Sequence, residues 1–268
     1  MNWYDDLCEY YQVSPEKALE LGTRKKGRKP DLPGSATCKP VSGLTFEEIW
    51  ESKPRETTAQ IFEFYKDIGA WSSFRQCKYH EHGPAYNTGP ITASLVSQYF
   101  FSDSLYNKNQ LTTDIRVLEY GAGVAAISCW LHDNLKNCNF KFHINDVPCE
   151  HLTFGNWRLK KRGADVEKFE IEPDKFPDYG NVKFDFIFML DVLEHLNDPY
   201  QAIQEVIKFS ENNKTFFFET WVDHDDQKQG THCDLDRDKE KTKNLIQKNF
   251  SLIHSADGMR VWRKCLWD

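Results

Sequence analysis

A glycine-rich turn flanked by acidic residues is the part of this sequence best suited to bind a ligand. The turn is Gly121-Ala122-Gly123, and Glu119 precedes it by two residues. Glycine lets the backbone turn sharply and lets a ligand approach the main chain. A helix that starts after such a turn presents free N–H groups. Asp146 lies 23 residues after Gly123, at the end of the next predicted strand. A carboxylate there can accept hydrogen bonds from the hydroxyls of a ribose, so the pattern predicts a nucleoside site.

Two classes of nucleoside ligand fit this pattern. Residues 121–126 also match the dinucleotide fingerprint, whose last position can be alanine, here Ala126. However, Glu119 at the strand tip would repel a pyrophosphate and would suit a cationic ligand. The turn also lies far along the chain, whereas dinucleotide enzymes usually open their nucleotide domain with it. These points favour a cationic nucleoside, and an NAD-dependent oxidoreductase stays open as the alternative.

Two segments together resemble class I S-adenosylmethionine-dependent methyltransferases. Glu119–Gly123 is similar to the first motif of that family, an acidic residue followed by G-x-G. Residues 184–199, FDFIFMLDVLEHLNDP, resemble its fourth strand followed by D-V-L-E-H-x-x-D-P. The resemblance covers about residues 91–268. It implies an α/β, Rossmann-like, doubly wound seven-stranded sheet, the cofactor S-adenosyl-L-methionine and methyl transfer. One departure is Ala125 in place of a third glycine, which is tolerable if that position is already helical.

The resemblance also implies roles for individual residues around the turn. Glu119 would hold the methionine ammonium, directly or through water, and Asp191 would lie at the methionine end of the cofactor. Asp146 would bind the ribose hydroxyls and Val147 would lie against the adenine, with Glu172 or Asp174 near its amino group. The cofactor-binding residues implied are therefore Glu119, Tyr120, Gly121, Ala122, Gly123, Asp146, Val147 and Asp191.

Catalysis requires in-line placement of the acceptor and, for many acceptors, a base. His232 and His195 are the predicted catalytic residues. Gly230-Thr231-His232 resembles the G-T-H that follows the fifth strand in O-methyltransferases of quinone biosynthesis, and His195 follows the fourth strand. A neutral histidine can accept the proton of a hydroxyl. The alternatives are a loop histidine at position 232 and a capping or packing histidine at position 195. The residues His224, Asp225, Asp226, His232 and Asp234 could collect a divalent metal, but no metal site is predicted.

The patterns that must position these residues divide the chain at residue 90. Before it, helical patterns alternate with loops: a helix starts at Ser14-Pro15 and stops at Gly22, and further helical patterns follow at 45–50 and 61–71. After it, apolar strands alternate with helices, which implies a parallel doubly wound sheet. The predicted strands are 114–119, 140–144, 184–190, 215–218, 251–255 and 259–266. We predict a helical N-terminal cap or lid over 1–90 and a methyltransferase domain over 91–268.

The composition bears on whether the protein binds nucleic acid or a membrane and on where it is located. The 268 residues contain 34 Lys and Arg against 41 Asp and Glu, a net charge of −7, which argues against nonspecific wrapping of nucleic acid. The basic run 24–29 nevertheless keeps a nucleotide or nucleic-acid acceptor open. No apolar run reaches the roughly 18–20 residues of a membrane span, and the N-terminus lacks signal-peptide features. The eight cysteines are scattered without a C-x-x-C pair, which favours reduced thiols and a cytoplasmic location.

The sequence therefore predicts an enzyme that transfers a methyl group from S-adenosylmethionine to an oxygen or nitrogen of a small or medium-sized acceptor. Three alternative functions stay open. They are the NAD-dependent oxidoreductase, a noncatalytic binding protein with the methyltransferase fold, and an enzyme that transfers another group from the same cofactor. The sequence predicts neither the acceptor nor the oligomeric state.

Overall fold

A computed structural model describes most of the chain from residue 114 onwards and the first two helices. The described ranges are 3–22, 114–173, 175–196, 198–221, 239–256 and 258–265, with 54, 57, 59–60, 62–63, 73, 77, 92 and 94–98. The basic run 24–29, the helical pattern at 45–50 and most of that at 61–71 lie outside these ranges. Within them, no helix has both the length and the apolar content that a membrane crossing requires.

The named elements follow one another as the periodicity predicts, with two helices and one strand that it did not predict. The helices are α1 (Trp3–Tyr11), α2 (Pro15–Gly22), α3 (Ala126–Asn134), α4 (Glu150–Lys161), α5 (Pro199–Lys208) and α6 (Lys239–Asn249). The strands are β1 (Ile115–Tyr120), β2 (Phe140–Asp146), β3 (Asp165–Glu170), β4 (Phe186–Leu190), β5 (Phe216–Thr220), β6 (Phe250–Ala256) and β7 (Met259–Lys264). The additional elements are the helices α1 and α4 and the strand β3. A short 3-10 helix spans Leu193–His195.

The seven strands form one sheet in the order β3-β2-β1-β4-β5-β7-β6. The five strands from β3 to β5 are parallel, whereas β7 runs antiparallel to both β5 and β6. The seven-stranded prediction is confirmed, but the expectation of a parallel sheet holds only for those five strands. The reason is the short β6–β7 connection, since a tight turn can join only antiparallel neighbours while parallel ones need a long crossover.

The centre of the sheet is packed with phenylalanine. Every residue of β5 is buried, as expected of a strand covered on both faces. The rings of Phe188 and Phe218 lie 4.8 Å apart on one face, and those of Phe186 and Phe216 lie 5.7 Å apart. Rigid central strands of this kind fix where their carboxyl ends point. The strands β1 and β4 pair with each other directly, so their carboxyl ends, which carry the predicted site residues, are neighbours.

The start of α5 follows its sequence pattern closely. The Asp198 carboxylate accepts a hydrogen bond of 2.8 Å from the backbone N–H of Gln201, and Pro199 occupies the first turn. This is the N-cap arrangement that satisfies a free N–H at a helix start. It leaves the chain between β4 and α5, which contains Glu194 and His195, as a short connection at the carboxyl edge of the sheet.

Candidate functional site

The glycine turn after β1 has three residues in the left-handed region of backbone conformation. The φ angles are 67° at Gly121, 51° at Gly123 and 53° at Ala125. Ala125 is thus not helical, and the expectation that a helical backbone makes alanine tolerable there is wrong. It instead adopts a conformation that costs an alanine roughly 1–2 kcal/mol. The helix α3 begins one residue later, after the backbone N–H of Ala125 has bonded to the Ala122 carbonyl at 2.7 Å.

The end of β2 holds this turn in place through three backbone N–H groups. The side-chain Oδ1 of Asn145 accepts from Gly121 N at 3.0 Å, and the Asn145 carbonyl accepts from Ala122 N at 2.8 Å. The Asp146 carboxylate accepts from Gly123 N at 2.7 Å. Asn145 is completely buried and its amide donates to the Tyr179 hydroxyl. Its role was not predicted, although its place directly before Asp146 at the strand end was visible.

Glu119 occupies the start of α3 with both of its carboxylate oxygens. It accepts from the backbone N–H groups of Ile127 at 3.3 Å and Ser128 at 2.9 Å, and from the Ser128 hydroxyl. The expectation that this helix start presents free N–H groups is therefore wrong for these two. Burial raises the pKa of Glu119 to about 7, against the lowering effect of those hydrogen bonds. A carboxylate has about four acceptor positions, so Glu119 retains capacity for a further donor.

Asp146 is a second carboxylate whose pKa is raised above its ordinary value. Its Oδ1 accepts from the N–H of Val147 at 2.7 Å, while Oδ2 is bound to Gly123. Burial raises its pKa to about 6, in opposition to these two hydrogen bonds. Val147 itself is buried and packs with Tyr120 and Ile171. The side chain predicted to bind a ribose is thus held rigidly against the glycine turn.

Asp191 directly follows β4 and has a left-handed conformation, with φ 53°. Its backbone N–H donates to the hydroxyl oxygen of Thr220 at 2.6 Å, and that hydroxyl donates back to the Asp191 carboxylate at 2.8 Å. Thr220 is the last residue of the neighbouring strand β5, so two strand tips fix one carboxylate. Thr220 was not predicted as a site residue. Nothing in a single threonine at a strand end distinguishes it before the pairing of β4 with β5 is known.

An open cleft lies over these strand tips. Six of the eight predicted cofactor residues line it: Glu119, Tyr120, Gly121, Ala122, Gly123 and Asp191. Of the other two, Asp146 binds the turn as described above, and Val147 donates its N–H to Asp146. The cleft therefore presents carboxylates, while the N–H groups of its turn are already bound to the protein. Such a site favours a cation over an anion.

The segment after Asp191 contains a buried carboxyl with no hydrogen-bond partner. Glu194 is 7% exposed, and neither of its carboxyl oxygens has a partner among the described residues. Burial raises its pKa to about 8, and the charges of Asp191 and Glu219 add to this effect while Lys239 opposes it. Glu219 is equally buried but accepts from Arg260 and Trp262. Glu194 was not predicted, although it lies within the D-V-L-E-H segment that the sequence analysis singled out.

The two predicted catalytic histidines have different outcomes. His195 ends the 3-10 helix beside Glu194, is partly exposed, and its backbone N–H donates to the Val192 carbonyl at 2.9 Å. It is therefore at the carboxyl edge of the sheet, and its catalytic role stays a prediction. His232 lies outside the described residues, as do His224, Asp225, Asp226 and Asp234 of the alternative metal cluster. Among the residues that are described, no group of three His, Cys, Asp or Glu side chains could hold a metal.

The unpartnered carboxyl of Glu194 should make the stability of the protein depend on pH. A pKa of about 8 in the folded chain, against 4.5 in the unfolded one, means that the folded state binds the proton more tightly. Stability is then lost as the pH rises from about 4.5 to about 8. We expect Glu194→Gln to be more stable than the wild type by about 2 kcal/mol at pH 8, and similar to it at pH 4.5. Urea denaturation at several pH values measures this.

The control for this variant is Glu211→Gln, which neutralises an exposed glutamate whose partner is Lys214. It should follow the wild-type pH dependence, because an exposed ion pair contributes little. Glu119 and Asp146 also bind protons more tightly in the folded chain, but their contribution is common to all three proteins. Equal pH slopes for Glu194→Gln and the wild type would mean that Glu194 is solvated or paired.

A model of the family described as a methyltransferase domain matches residues 96–257 of this chain. None of the curated proteins matches it. Among solved structures, a Listeria monocytogenes protein provisionally named as a class I S-adenosylmethionine-dependent methyltransferase is 10% identical, with a TM-score of 0.50. That likeness covers 84% of this chain and 72% of the Listeria chain. A protein of Pyrococcus horikoshii OT3 is 14% identical over 70% of this chain and 95% of its own, with a TM-score of 0.47.

Proposed function

Because this chain belongs to the family of methyltransferase domains, we propose that it methylates an oxygen or nitrogen atom of a small or medium-sized acceptor. It is a methyltransferase with the Rossmann-like fold of that family, and S-adenosylmethionine is its cofactor. The class of acceptor and the atom that receives the methyl group belong to the proposal. A cytoplasmic location belongs to it as well, supported by the six described cysteines, none of which forms a disulfide with another described residue.

The residues of the cleft fit a cationic nucleoside. Glu119 and Asp191 line the cleft, and Asp146 lies beside it with two oxygens that can each accept one more hydrogen bond. The observation that carries the proposal is that Gly121, Ala122 and Gly123 have given their N–H groups to Asn145 and Asp146. A pyrophosphate would find carboxylates where it needs free N–H donors. This argues against the NAD-dependent oxidoreductase.

S-adenosylmethionine, when bound, supplies an electrophilic methyl group on a positively charged sulfur. The residues of the chain have to orient the cofactor and manage the proton of the acceptor. We assign orientation to Glu119 for the methionine ammonium, to Asp146 for the ribose hydroxyls and to Val147 for the adenine. Asp191, held by Thr220, faces the methionine end. Fixing both ends of the cofactor leaves its reactive centre in one position, as in-line transfer requires.

The acceptor is expected beyond Asp191, where the connection from β4 to α5 carries Glu194 and His195. His195, and His232 from outside the described residues, are the proposed bases that accept the acceptor proton. Glu194 is a further group that can hold a proton near neutral pH, since its pKa is raised to about 8. A group is most useful as a general acid or base when its pKa lies near the working pH. A nucleotide acceptor stays within the proposal because of the basic run 24–29.

Thermal denaturation with different nucleosides tests the proposed cofactor class. We expect S-adenosylhomocysteine and S-adenosylmethionine to raise the melting temperature of the full-length protein, and NAD and NADP to leave it unchanged. A ligand present at 100 times its dissociation constant stabilises the native state by about 2.7 kcal/mol. For a chain of this length that corresponds to roughly 5 °C or more.

The outcomes separate the rival functions. Stabilisation by NAD with none by S-adenosylhomocysteine would contradict the proposal and would favour the oxidoreductase. Stabilisation by S-adenosylhomocysteine is then followed by incubation of the enzyme and S-adenosylmethionine with panels of small hydroxyl- and amine-bearing acceptors. Formation of S-adenosylhomocysteine with a methylated product supports catalysis. Tight cofactor binding without turnover on any acceptor would favour the noncatalytic binding protein.

A further inference from the structure

The N-terminal helix α1 is joined to α4 by ion pairs that are buried from solvent. Asp6 on α1 is fully buried, and the side chains of Arg158 on α4 and of Arg162, directly after α4, are 1% and 2% exposed. One Asp6 oxygen lies 3.2 Å from Arg158 Nε and 2.7 Å from Arg162 Nη2, and the other lies 3.2 Å from Lys161 Nζ. Buried charges held in this way are strongly constrained, because removing one partner leaves the other unpaired.

Arg158 also reaches the glycine turn. Its Nη1 donates to the carbonyl of Val124 at 3.0 Å, so one guanidinium bonds both to α1 and to the turn. Its charge is also one of the influences that lower the pKa of Glu119, against the larger effect of burial. A planar guanidinium holds two acceptors at fixed angles, whereas the three donors of a lysine rotate.

A second residue of α4, Gly155, lies close to Val124 and Ala125. Gly155 lies one helical turn before Arg158, and a Cβ at Gly155 would come within 2.9 Å of the Val124 carbonyl carbon and 3.0 Å of Ala125 Cβ. Only a glycine allows this approach without a shift of the backbone. The contact falls on the segment where Ala125 adopts its unfavourable left-handed conformation. The unfavourable conformation persists only because its surroundings impose it.

Apolar packing brings α1 against the same segment. Leu7 and Tyr11 of α1 share one buried cluster with Val124, Ala126 and Phe154. Leu7 is completely buried, and the ring of Tyr11 lies 5.7 Å from that of Phe154. None of the α1 residues lines the cleft over the strand tips. The helix α1 therefore shares a buried cluster with Val124 and Ala126, which line the cleft, without lining the cleft itself.

We infer that α1 is a positioning element of the cofactor site, and that Asp6 acts on cofactor affinity through Arg158 and the Val124 carbonyl. The inference rests on the proposed function, because it concerns the same cleft. It extends the cofactor site to a helix outside residues 96–257, the region that the family model matches. In this arrangement Asp6 fixes Arg158, Arg158 fixes the Val124 carbonyl, and the turn keeps the conformation that binds S-adenosylmethionine. A cofactor bound at the turn must in return stabilise α1.

The first test uses the intact wild-type chain and needs no variant. Backbone amide hydrogen exchange is measured with and without S-adenosylhomocysteine. Exchange in Trp3–Tyr11 should slow on binding, in parallel with the glycine turn and although α1 does not line the cleft. Protection of the turn with unchanged exchange in α1 would overturn the inference. No binding at all would overturn the proposed function, and this inference with it.

The second test compares cofactor affinities of variants by calorimetry, at a temperature where each is folded. Asp6→Asn should weaken S-adenosylhomocysteine binding by about tenfold, a typical coupling between linked sites. Arg158→Lys keeps the positive charge but loses the two-way contact, and should weaken binding similarly. Glu9→Gln is the matched control on the same helix, because Glu9 is largely exposed and its ion pair, among the described residues, is with Lys161 at 2.6 Å and not with Arg158. It should bind within about twofold of wild type, as an exposed pair contributes little.

The variant Phe250→Ala shows whether a loss of stability alone, without any effect on the turn, weakens cofactor binding. Phe250 is buried in β6, at the opposite edge of the sheet from β3, so its loss lowers stability far from the turn. This variant should lower the melting temperature while leaving the dissociation constant unchanged. If Asp6→Asn behaves in the same way, losing stability but not affinity, the positioning role is refuted while the proposed function stands.

Discussion

Asp146→Ala should weaken S-adenosylhomocysteine binding by about 100-fold or more, which corresponds to about 3 kcal/mol. The side chain has two functions that fail together. It accepts the N–H groups of Gly123 and Val147, both at 2.7 Å, and we propose that it also accepts the ribose hydroxyls. A hydrogen bond to a charged group contributes about 1.5–3 kcal/mol, and an unpaired buried N–H costs about 1–3 kcal/mol. Titration calorimetry of the folded variant measures the loss.

Two further variants separate these functions of Asp146. Asp146→Asn retains one carbonyl oxygen, so it should keep part of the turn geometry and show an intermediate affinity. Asp198→Ala removes a carboxylate that accepts one backbone N–H, from Gln201 at 2.8 Å, but that caps α5 rather than the glycine turn. It should lose about 1 kcal/mol of stability and bind the cofactor normally. Binding of Asp146→Ala within threefold of wild type would exclude Asp146 as the ribose ligand.

The elements that position the site could be predicted because each has a local cause. The apolar runs of β4 and β5 follow from burial on both faces of the sheet, and Asp198-Pro199 is a helix start on its own residues. The glycine turn could likewise be predicted from Gly121 and Gly123. These features depend on periodicity and on backbone preference, which a single sequence records.

The contacts that define the chemistry of the turn could not be predicted in the same way. Asn145 binds Gly121 across a parallel strand pair, and the register of that pair is a property of the sheet. The helix α4 was missed because its inward face includes Gly155 and Arg158, neither of which looks like a core residue. The buried pairing of Arg158 with Asp6 joins residues 152 positions apart. Long-range polar pairs of this kind carry no periodic pattern.

The unpredicted contacts also change how the cofactor site is understood. A turn with free N–H groups would suit phosphate, and the sequence pattern alone fits that as well as a sulfonium nucleoside. Asn145 and Asp146 remove that ambiguity, because they use the N–H groups of all three residues of the turn. The same contacts make the turn depend on exact backbone positions. Steric interference at Gly121 should therefore weaken binding as well, although no carboxylate is lost.

Gly121→Ala should destabilise the protein by about 3 kcal/mol, from a left-handed backbone and from overpacking. The φ angle of 67° costs any side chain, and a Cβ at this position would lie 2.5 Å from Cγ2 of Val192. Val192 is buried and branched at Cβ, so it has little freedom to turn away. The turn must then move, and we expect cofactor affinity to fall by about 30-fold or more, in line with the loss of roughly 2 kcal/mol of contacts. Chemical denaturation and calorimetry measure the two effects.

Gly180→Ala is the matched control, because it has nearly the same φ of 65° but no atom within 4 Å of the added Cβ. It should lose only about 1 kcal/mol, the cost of the backbone conformation, and should bind the cofactor normally. The double variant Gly121→Ala/Val192→Ala removes both close γ carbons and leaves Val192 Cβ at 3.5 Å as the nearest contact. It should recover most of the lost affinity, beyond the sum of the single effects. A double variant that binds as poorly as Gly121→Ala would show that the backbone conformation, and not the contact with Val192, makes glycine necessary there.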